Sequence, residues 1–495
     1  MKILTIAAEM APFAREGGLG DAVAALSKAL AARGHDVRAV VPLYGRIDRG
    51  AWGLAPSGVG LQVPMGSLGR FECGLLEGSV PGSRVPVYFV DYAPYFQRQG
   101  IYNERGEGYA DNGERFVFLS RASLELCRAT RFSPDLIHVH DWHTAAVPVL
   151  LDAVYRDDPV LGAPASLLTL HNLLQQGVFD KGLMNVLDIG WGHFHLRGME
   201  FFDRVNLLKG GIYHATLINT VSPSYAREIL QPEFALGIEG VIRDREADLS
   251  GILNGADYEE WDPGTDARIA ANYSEDDLSG KALCKGDLQR ALGLPEKPDV
   301  PLLGMVSRLV RQKGIDLLAG AAQRLVGTDV QLALLGSGEP GSHDFFEALA
   351  RKHPGKAACR IGFDDGLAHR IIAGADFFLM PSRVEPCGLT QMYAMRYGAL
   401  PIVRATGGLR DTVEDAGEAA STGTGFTFGD ATPEAFLDAI GRAARAYRTN
   451  RGALAGLMRN AMTKRFTWAS AADRYEGLYA AASKRRRDPR RGTGS

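Results

Sequence analysis

The sequence has little sulfur chemistry, no excess of charge and no long apolar run. Its five cysteines, Cys73, Cys127, Cys284, Cys359 and Cys387, lie far apart and form no C-x-x-C pair. That excludes a disulfide framework and a zinc knuckle and fits reduced thiols. Lysine and arginine number 55 against 58 aspartate and glutamate, a net charge of −3, so no polycationic character draws the chain to nucleic acid. No segment approaches the ~18 apolar residues of a membrane span. The first apolar run, at 3–8, is too short for a signal-peptide core and is stopped by Glu9. A cytoplasmic protein with neither nucleic-acid nor membrane partners is the expectation. The glycine loop at 15–21 is neither a Walker A nor a G-x-G-x-x-G sequence, and the chain has no D-x-D of the kind that often holds a metal on a nucleotide diphosphate.

What is present is length, glycine and repeated buried strands. The 495 residues exceed the ~250–300 at which one hydrophobic core stops growing, so two domains are expected. Glycine, at 59 residues, is above its usual ~7% and foretells tight turns and close backbone approaches. Apolar runs at 3–8, 37–41, 136–139, 166–170 and 217–221 are followed by a weaker stretch at 258–285, and then by runs at 302–306, 330–335, 377–380 and 400–403. Residues 21–33 carry helical apolar spacing and end at Gly34. Continuous apolar runs alternating with helices read as parallel strands covered on both faces. The fold class is therefore α/β: two doubly wound Rossmann-like domains, 1–250 and 251–480, facing across a cleft. Residues 481–495 (Lys484, Arg485, Arg486, Arg487 and beyond) read as a basic disordered tail.

Reactive residues cluster just after these runs, at the carboxyl ends of strands, where ligands bind in open α/β sheets. The first such loop is Arg15-Glu16-Gly17-Gly18-Leu19-Gly20-Asp21. It is either a plain βα turn or a phosphate cradle made from backbone N–H groups and a cation. His138-Val139-His140-Asp141-Trp142-His143 puts two imidazoles on one strand face, and His193-Phe194-His195 repeats the spacing. That pattern supports a metal-dependent hydrolase or a buried, hydrogen-bonded histidine pair. Ser307-Arg308 with Gln312-Lys313-Gly314 offers two cations for one diphosphate. In Pro381-Ser382-Arg383-Val384-Glu385-Pro386-Cys387-Gly388-Leu389-Thr390-Gln391, Glu385 can accept from sugar hydroxyls. The helix that follows points its N–H groups the same way, and Cys387 reads as a small packing residue.

These motifs occur in a fixed order with His171-Asn172, Thr220-Val221-Ser222-Pro223, Leu253-Asn254-Gly255 and Gly407-Gly408-Leu409-x-Asp411-Thr412-Val413. Together they resemble the bacterial glycogen synthase and plastid starch synthase family, retaining glucosyltransferases of the glycosyltransferase-B fold. The likeness runs from residue 3 to about 480. It implies transfer of glucose from ADP-glucose, a co-substrate, to the non-reducing 4-hydroxyl of an α-1,4-glucan such as glycogen. No cofactor and no metal are implied. Glu385, Arg308, Lys313, His171 and Asp141 would be catalytic. Arg15, Gly18, Asp21, Asn254, Ser307, Phe363, Cys387, Gly388, Leu389 and Thr390 would bind the donor, Phe363 by stacking on its base. Tyr95 and Trp142 would bind the acceptor.

The chain departs from the family at Arg15, where lysine is usual, and at Gln175 and Val384, which are often aromatic. Three other readings compete: a sucrose-synthase-like transferase using UDP-glucose, the metal hydrolase, and a non-catalytic glycan binder using Tyr92, Tyr95, Phe96, Tyr102 and Trp142. Oligomeric state is not encoded in any of these motifs.

Overall fold

A computed structural model describes residues 1–104, 106–417 and 422–487. The chain divides into two compact units, one comprising residues 1–221, 226–255 and the chain from 468 onward, the other residues 222–225 and 256–467.

The first unit is built on a ten-stranded sheet. Its centre is parallel: Lys2–Ile6 lies between Asp36–Pro42 and Leu136–His140, with Ile3 opposite both Val37 and Leu136. Ala165–Leu170, Leu217–Thr220 and Leu249–Gly251 continue it on one side. On the other side Pro86–Asp91 pairs parallel with Asp36–Pro42 and antiparallel with Arg70–Ser79. The helix Gly18–Ala32 turns Leu19, Val23, Leu26 and Leu30 inward, a stripe at the 3.6-residue period. Gly34 at φ 90 follows its end. In the second unit six strands are all parallel, in the order Ala357–Ile361, Gln331–Gly336, Leu302–Val306, Phe377–Met380, Leu400–Arg404, Phe426–Phe428. Four of these, Gln331–Gly336, Phe377–Met380, Leu302–Val306 and Leu400–Arg404, are buried along almost their whole length, which is why they read as apolar runs.

Two expectations about organisation are corrected. The boundary falls after Gly255 rather than at 250, and the chain returns to the first unit at Trp468. The supposed tail is in part a helix, Trp468–Arg486. Ala471, Ala472, Tyr475, Tyr479 and Ala482 are buried along it, and this small-residue and tyrosine stripe carries the helix through the basic run. Arg486 then reaches Asp152 at 3.3 Å and the Gly162 carbonyl at 3.2 Å, and Arg485 pairs with Asp248. Residues 488–495 of the expected tail lie outside the described residues. Among the described residues no helix is long and apolar enough to cross a membrane, and none of the cysteines forms a disulfide.

Candidate functional site

In the first unit the strand Leu136–His140 ends at Asp141, a non-glycine residue at φ 55. That conformation costs about 1–2 kcal/mol and is held by what the side chain does. Asp141 Oδ1 accepts the backbone N–H of His171 at 2.7 Å and of Asn172 at 3.4 Å, joining the ends of two adjacent strands. Burial pushes the Asp141 carboxyl up to about 7, against the pull of these N–H donors. The His171 ring is half-buried, with Nε2 3.0 Å from His140 Nδ1, and burial lowers its pKa to about 4. Across the sheet, the glycine loop is tied down by Glu9. This carboxylate is 4% exposed and accepts the N–H of Glu16 at 2.6 Å and of Gly17 at 3.2 Å, and the Tyr102 hydroxyl donates to it. Burial raises the Glu9 pKa. Gly18 then opens the helix, and Arg15 pairs with Asp21 in the first turn at 3.0 Å. Asn254 is buried beyond the strand Leu249–Gly251.

In the second unit the short turn Arg311–Lys313 stops at Gly314, φ 69, where a Cβ would lie 1.9 Å from the Pro381 carbonyl oxygen. Only glycine permits that approach, which sets Lys313 against the loop after Phe377–Met380. Lys313 Nζ lies 2.6 Å from Glu385 Oε2, to which Ser382 Oγ also donates at 2.9 Å. The other Glu385 oxygen has no protein partner among the described residues. The backbone of Glu385 is held from behind: Gly408 N donates to its carbonyl at 3.0 Å, and a Cβ on Gly407 would come within 2.0 Å of the same oxygen. Arg383 forks onto Asp316 at 2.7 and 3.0 Å, pinning the loop further. Ser307, Lys313, Ser382 and Thr390 line a cavity of about 120 Å³ at the carboxyl ends of Leu302–Val306 and Phe377–Met380. Arg308 and Phe363 are exposed, Phe363 by 84%. Cys387 is buried, Gly388 has φ 74, and Leu389 precedes the helix Thr390–Arg396.

The two aromatics expected to bind acceptor are core residues instead. Tyr95 is 8% exposed, packs among Tyr92, Phe96 and Phe118, and donates to Glu114 at 3.2 Å. Trp142 is 6% exposed and wedged between Phe116, His143, Phe179 and the backbone of Gly177. Each sits in a short helix, Ala93–Phe96 and Asp141–Thr144, with its ring packed into the first unit's core. The His138–His140 pair does share one strand face, with ring centroids 4.2 Å apart. However, His138 is bonded by Tyr479 and Thr169, and His140 by His171. Among the described residues one group has metal-ligand spacing, Glu260, Asp365 and His369. Arg268 already lies against both of its carboxylates, at 3.2 and 3.3 Å. Sequence reasoning missed Glu9 as a site residue, and it read Tyr102 only as a glycan-stacking aromatic and His140 only as half of a metal-binding or buried histidine pair. The signal for Glu9 was a lone acid ending an apolar run eight residues before a glycine pair.

Comparison with known proteins bears on the same segments. Residues 2–244 match the family described as starch synthase catalytic domain, and residues 289–451 match glycosyl transferases group 1. Glycogen synthase 1 of Geobacter sulfurreducens is 55% identical over 98% of this chain and 97% of its own. The chain belongs to the glycogen synthase family. Glycogen synthase of an Anaeromyxobacter species (strain Fw109-5) is 49% identical over 97% of this chain and 99% of its own. The catalytic domain of starch synthase IV from Arabidopsis thaliana, solved with ADP and acarbose bound, superposes with a TM-score of 0.90 at 34% identity, covering 98% of this chain and 99% of that one. Sucrose-phosphate synthase from Thermosynechococcus elongatus shares the fold at 20% identity and a TM-score of 0.60, over 97% of this chain and 99% of its own. As a glycogen synthase family member the chain is a glycosyltransferase of glycosyltransferase-B fold.

Proposed function

We propose that the chain transfers glucose from ADP-glucose to the non-reducing 4-hydroxyl of an α-1,4-glucan, with retention of configuration. The observation that carries this reading is the Lys313–Glu385 pair, 2.6 Å apart, with Lys313 lining a cavity together with Ser307, Ser382 and Thr390. Breaking a glycosidic bond to a diphosphate leaves negative charge on the phosphate and positive charge on the sugar ring. A lysine beside a carboxylate meets both: Nζ stabilises the departing phosphate, and the carboxylate lies near the oxocarbenium-like carbon and accepts from a sugar hydroxyl. Arg308, exposed on the neighbouring loop, adds a second cation for the diphosphate, and the exposed Phe363 ring is available to stack on a base. With two side-chain cations in this role, the reaction needs no metal.

ADP is favoured over UDP by the starch synthase IV relative, in which ADP is the bound nucleotide. The test is parallel turnover of ADP-glucose and UDP-glucose with glycogen, following nucleoside diphosphate release. Faster ADP release is expected. Preferential UDP release would move the chain to the UDP-glucose reading.

A further inference from the structure

The contact between His140 and His171 carries information about protons. Both rings are buried enough to be neutral at pH 7, His171 with its pKa lowered to about 4 and His140 well below the ordinary histidine value. A neutral imidazole carries one N–H and one lone pair. His140 Nδ1 and His171 Nε2 are 3.0 Å apart, so one of them holds the proton of that bond. The opposite edge of the His140 ring decides which. His140 Nε2 is buried and has no protein partner among the described residues. Were His140 the acceptor, its own proton would sit on Nε2 as a buried N–H bonded to nothing, a rare arrangement costing roughly 1–3 kcal/mol. As donor, His140 leaves only a lone pair there.

No neighbour reverses this choice. His138, its ring tilted against that of His140, uses Nδ1 with Tyr479 at 2.9 Å and Nε2 with Thr169 at 2.6 Å, so it has no nitrogen left for His140. The His140 backbone is fixed as well, its N–H donating to Thr144 Oγ1 at 2.7 Å. His171 is held at both ends, through its backbone by Asp141 and through Nε2 by His140. Its remaining ring atom, Nδ1, has no protein partner among the described residues. We infer that His140 is a positioning residue that holds His171 in the tautomer with its proton on Nδ1, so that His171 meets its ligand as a hydrogen-bond donor. Resting on the proposed transfer reaction, the ligand atom is an acceptor oxygen of the donor sugar or its diphosphate, and a group lacking a lone pair at that place is rejected.

The test reads the tautomer itself, on the full chain labelled with ¹⁵N in its histidine rings and without substrate. Long-range ¹H–¹⁵N correlation, with His171 assigned by its loss in His171→Gln, should show Nδ1 protonated and Nε2 unprotonated. The reverse pattern overturns the inference. His140→Asn, whose amide N–H reaches the place of Nδ1, should keep the tautomer and most of the activity. His140→Leu should lose the fixed tautomer and lower kcat/KM by ~10-fold, the scale of losing a group that orients an active-site histidine. His140→Leu with an unchanged His171 spectrum refutes the positioning role. If His140→Leu does not fold, the wild-type spectrum alone decides. Because the spectrum needs no turnover, failure of the tautomer and failure of the proposed transfer reaction are separable.

Discussion

Replacing Lys313 by alanine removes the one cation, among the described residues, within ion-pair distance of Glu385. The carboxylate side chain is 6% exposed, and with Lys313 gone Ser382 Oγ is the one donor to Oε2 left among the described residues. Breaking a fully buried pair costs about 3–5 kcal/mol. Lys313 is 21% exposed, so water replaces part of the interaction, and a stability loss of about 1–3 kcal/mol is expected. The catalytic loss is larger. A preorganised donor aimed at developing charge is worth ~10²–10³ in kcat, and 10² is about 2.7 kcal/mol of barrier. Lys313→Ala should therefore lower kcat by ~10² or more, while KM for the nucleotide sugar changes far less, since base and ribose contacts persist. Lys313→Arg should recover only part, its planar fork being longer than the ammonium it replaces. Lys313→Ala combined with Glu385→Gln should cost little more than the worse single change, because the two groups act as a unit. Steady-state release of nucleoside diphosphate with saturating glycogen, beside a thermal melt of each variant, measures both effects. An alanine variant with a lowered melting temperature but intact kcat would make the pair a structural strut and remove Lys313 from the chemistry.

Acid should destabilise the first unit. His138 and His143 have pKa values lowered to about 3, His171 to about 4, and His140 is lowered as well, all chiefly by burial. Each binds its proton more readily unfolded, so its contribution is present above about 6.5 and is lost as pH falls from there toward 4, at ~1.4 kcal/mol per pH unit per group. Asp141, raised to about 7, has the opposite sign and loses its contribution as pH rises from about 4 to 7. Urea midpoints should fall from pH 7 to 5, and Asp141→Asn should steepen that fall; a flat profile contradicts the buried neutral histidines. Trp142→Ala should cost about 3–5 kcal/mol of stability, and Tyr95→Phe about 1 kcal/mol for its bond to Glu114. Neither should selectively raise KM for glucan in the protein that remains folded, and a selective rise would restore them as acceptor residues. Exhaustive chelation should leave the rate unchanged; loss with EDTA and recovery with Mn²⁺ or Zn²⁺ would revive a metal-dependent reading.

The strands that carry the chemistry were legible because burial on both faces makes them uninterrupted apolar runs, each followed at once by a reactive residue. Asp141, His171, Ser307 and Ser382 all emerge this way. Arg70–Ser79 alternates between exposed and buried positions, and Phe426–Phe428 has only three residues, so neither gives such a run. Residue type was readable where direction was not. Tyr95 and Trp142 have the composition of a sugar platform, and only their packing against Phe118, Phe116 and Phe179 assigns them to the core. Tyr102 reaches Glu9 across 93 residues and His140 reaches His171 across 31, separations that no local pattern encodes, whereas Glu9 holds a backbone only seven and eight residues further on. The helix Trp468–Arg486 returns to the first unit through tyrosines and alanines, too weak a stripe to be separated by eye from the arginines that follow.

The central claim is transfer of an intact glucosyl group with its α configuration kept. Incubation of the full chain with ADP-glucose labelled with ¹³C at the anomeric carbon, and with glycogen as acceptor, tests it by NMR of the polymer. The account predicts label at non-reducing ends in α-1,4 linkage, with ADP released in equal amount. Label appearing as free glucose, or in β linkage, would contradict it.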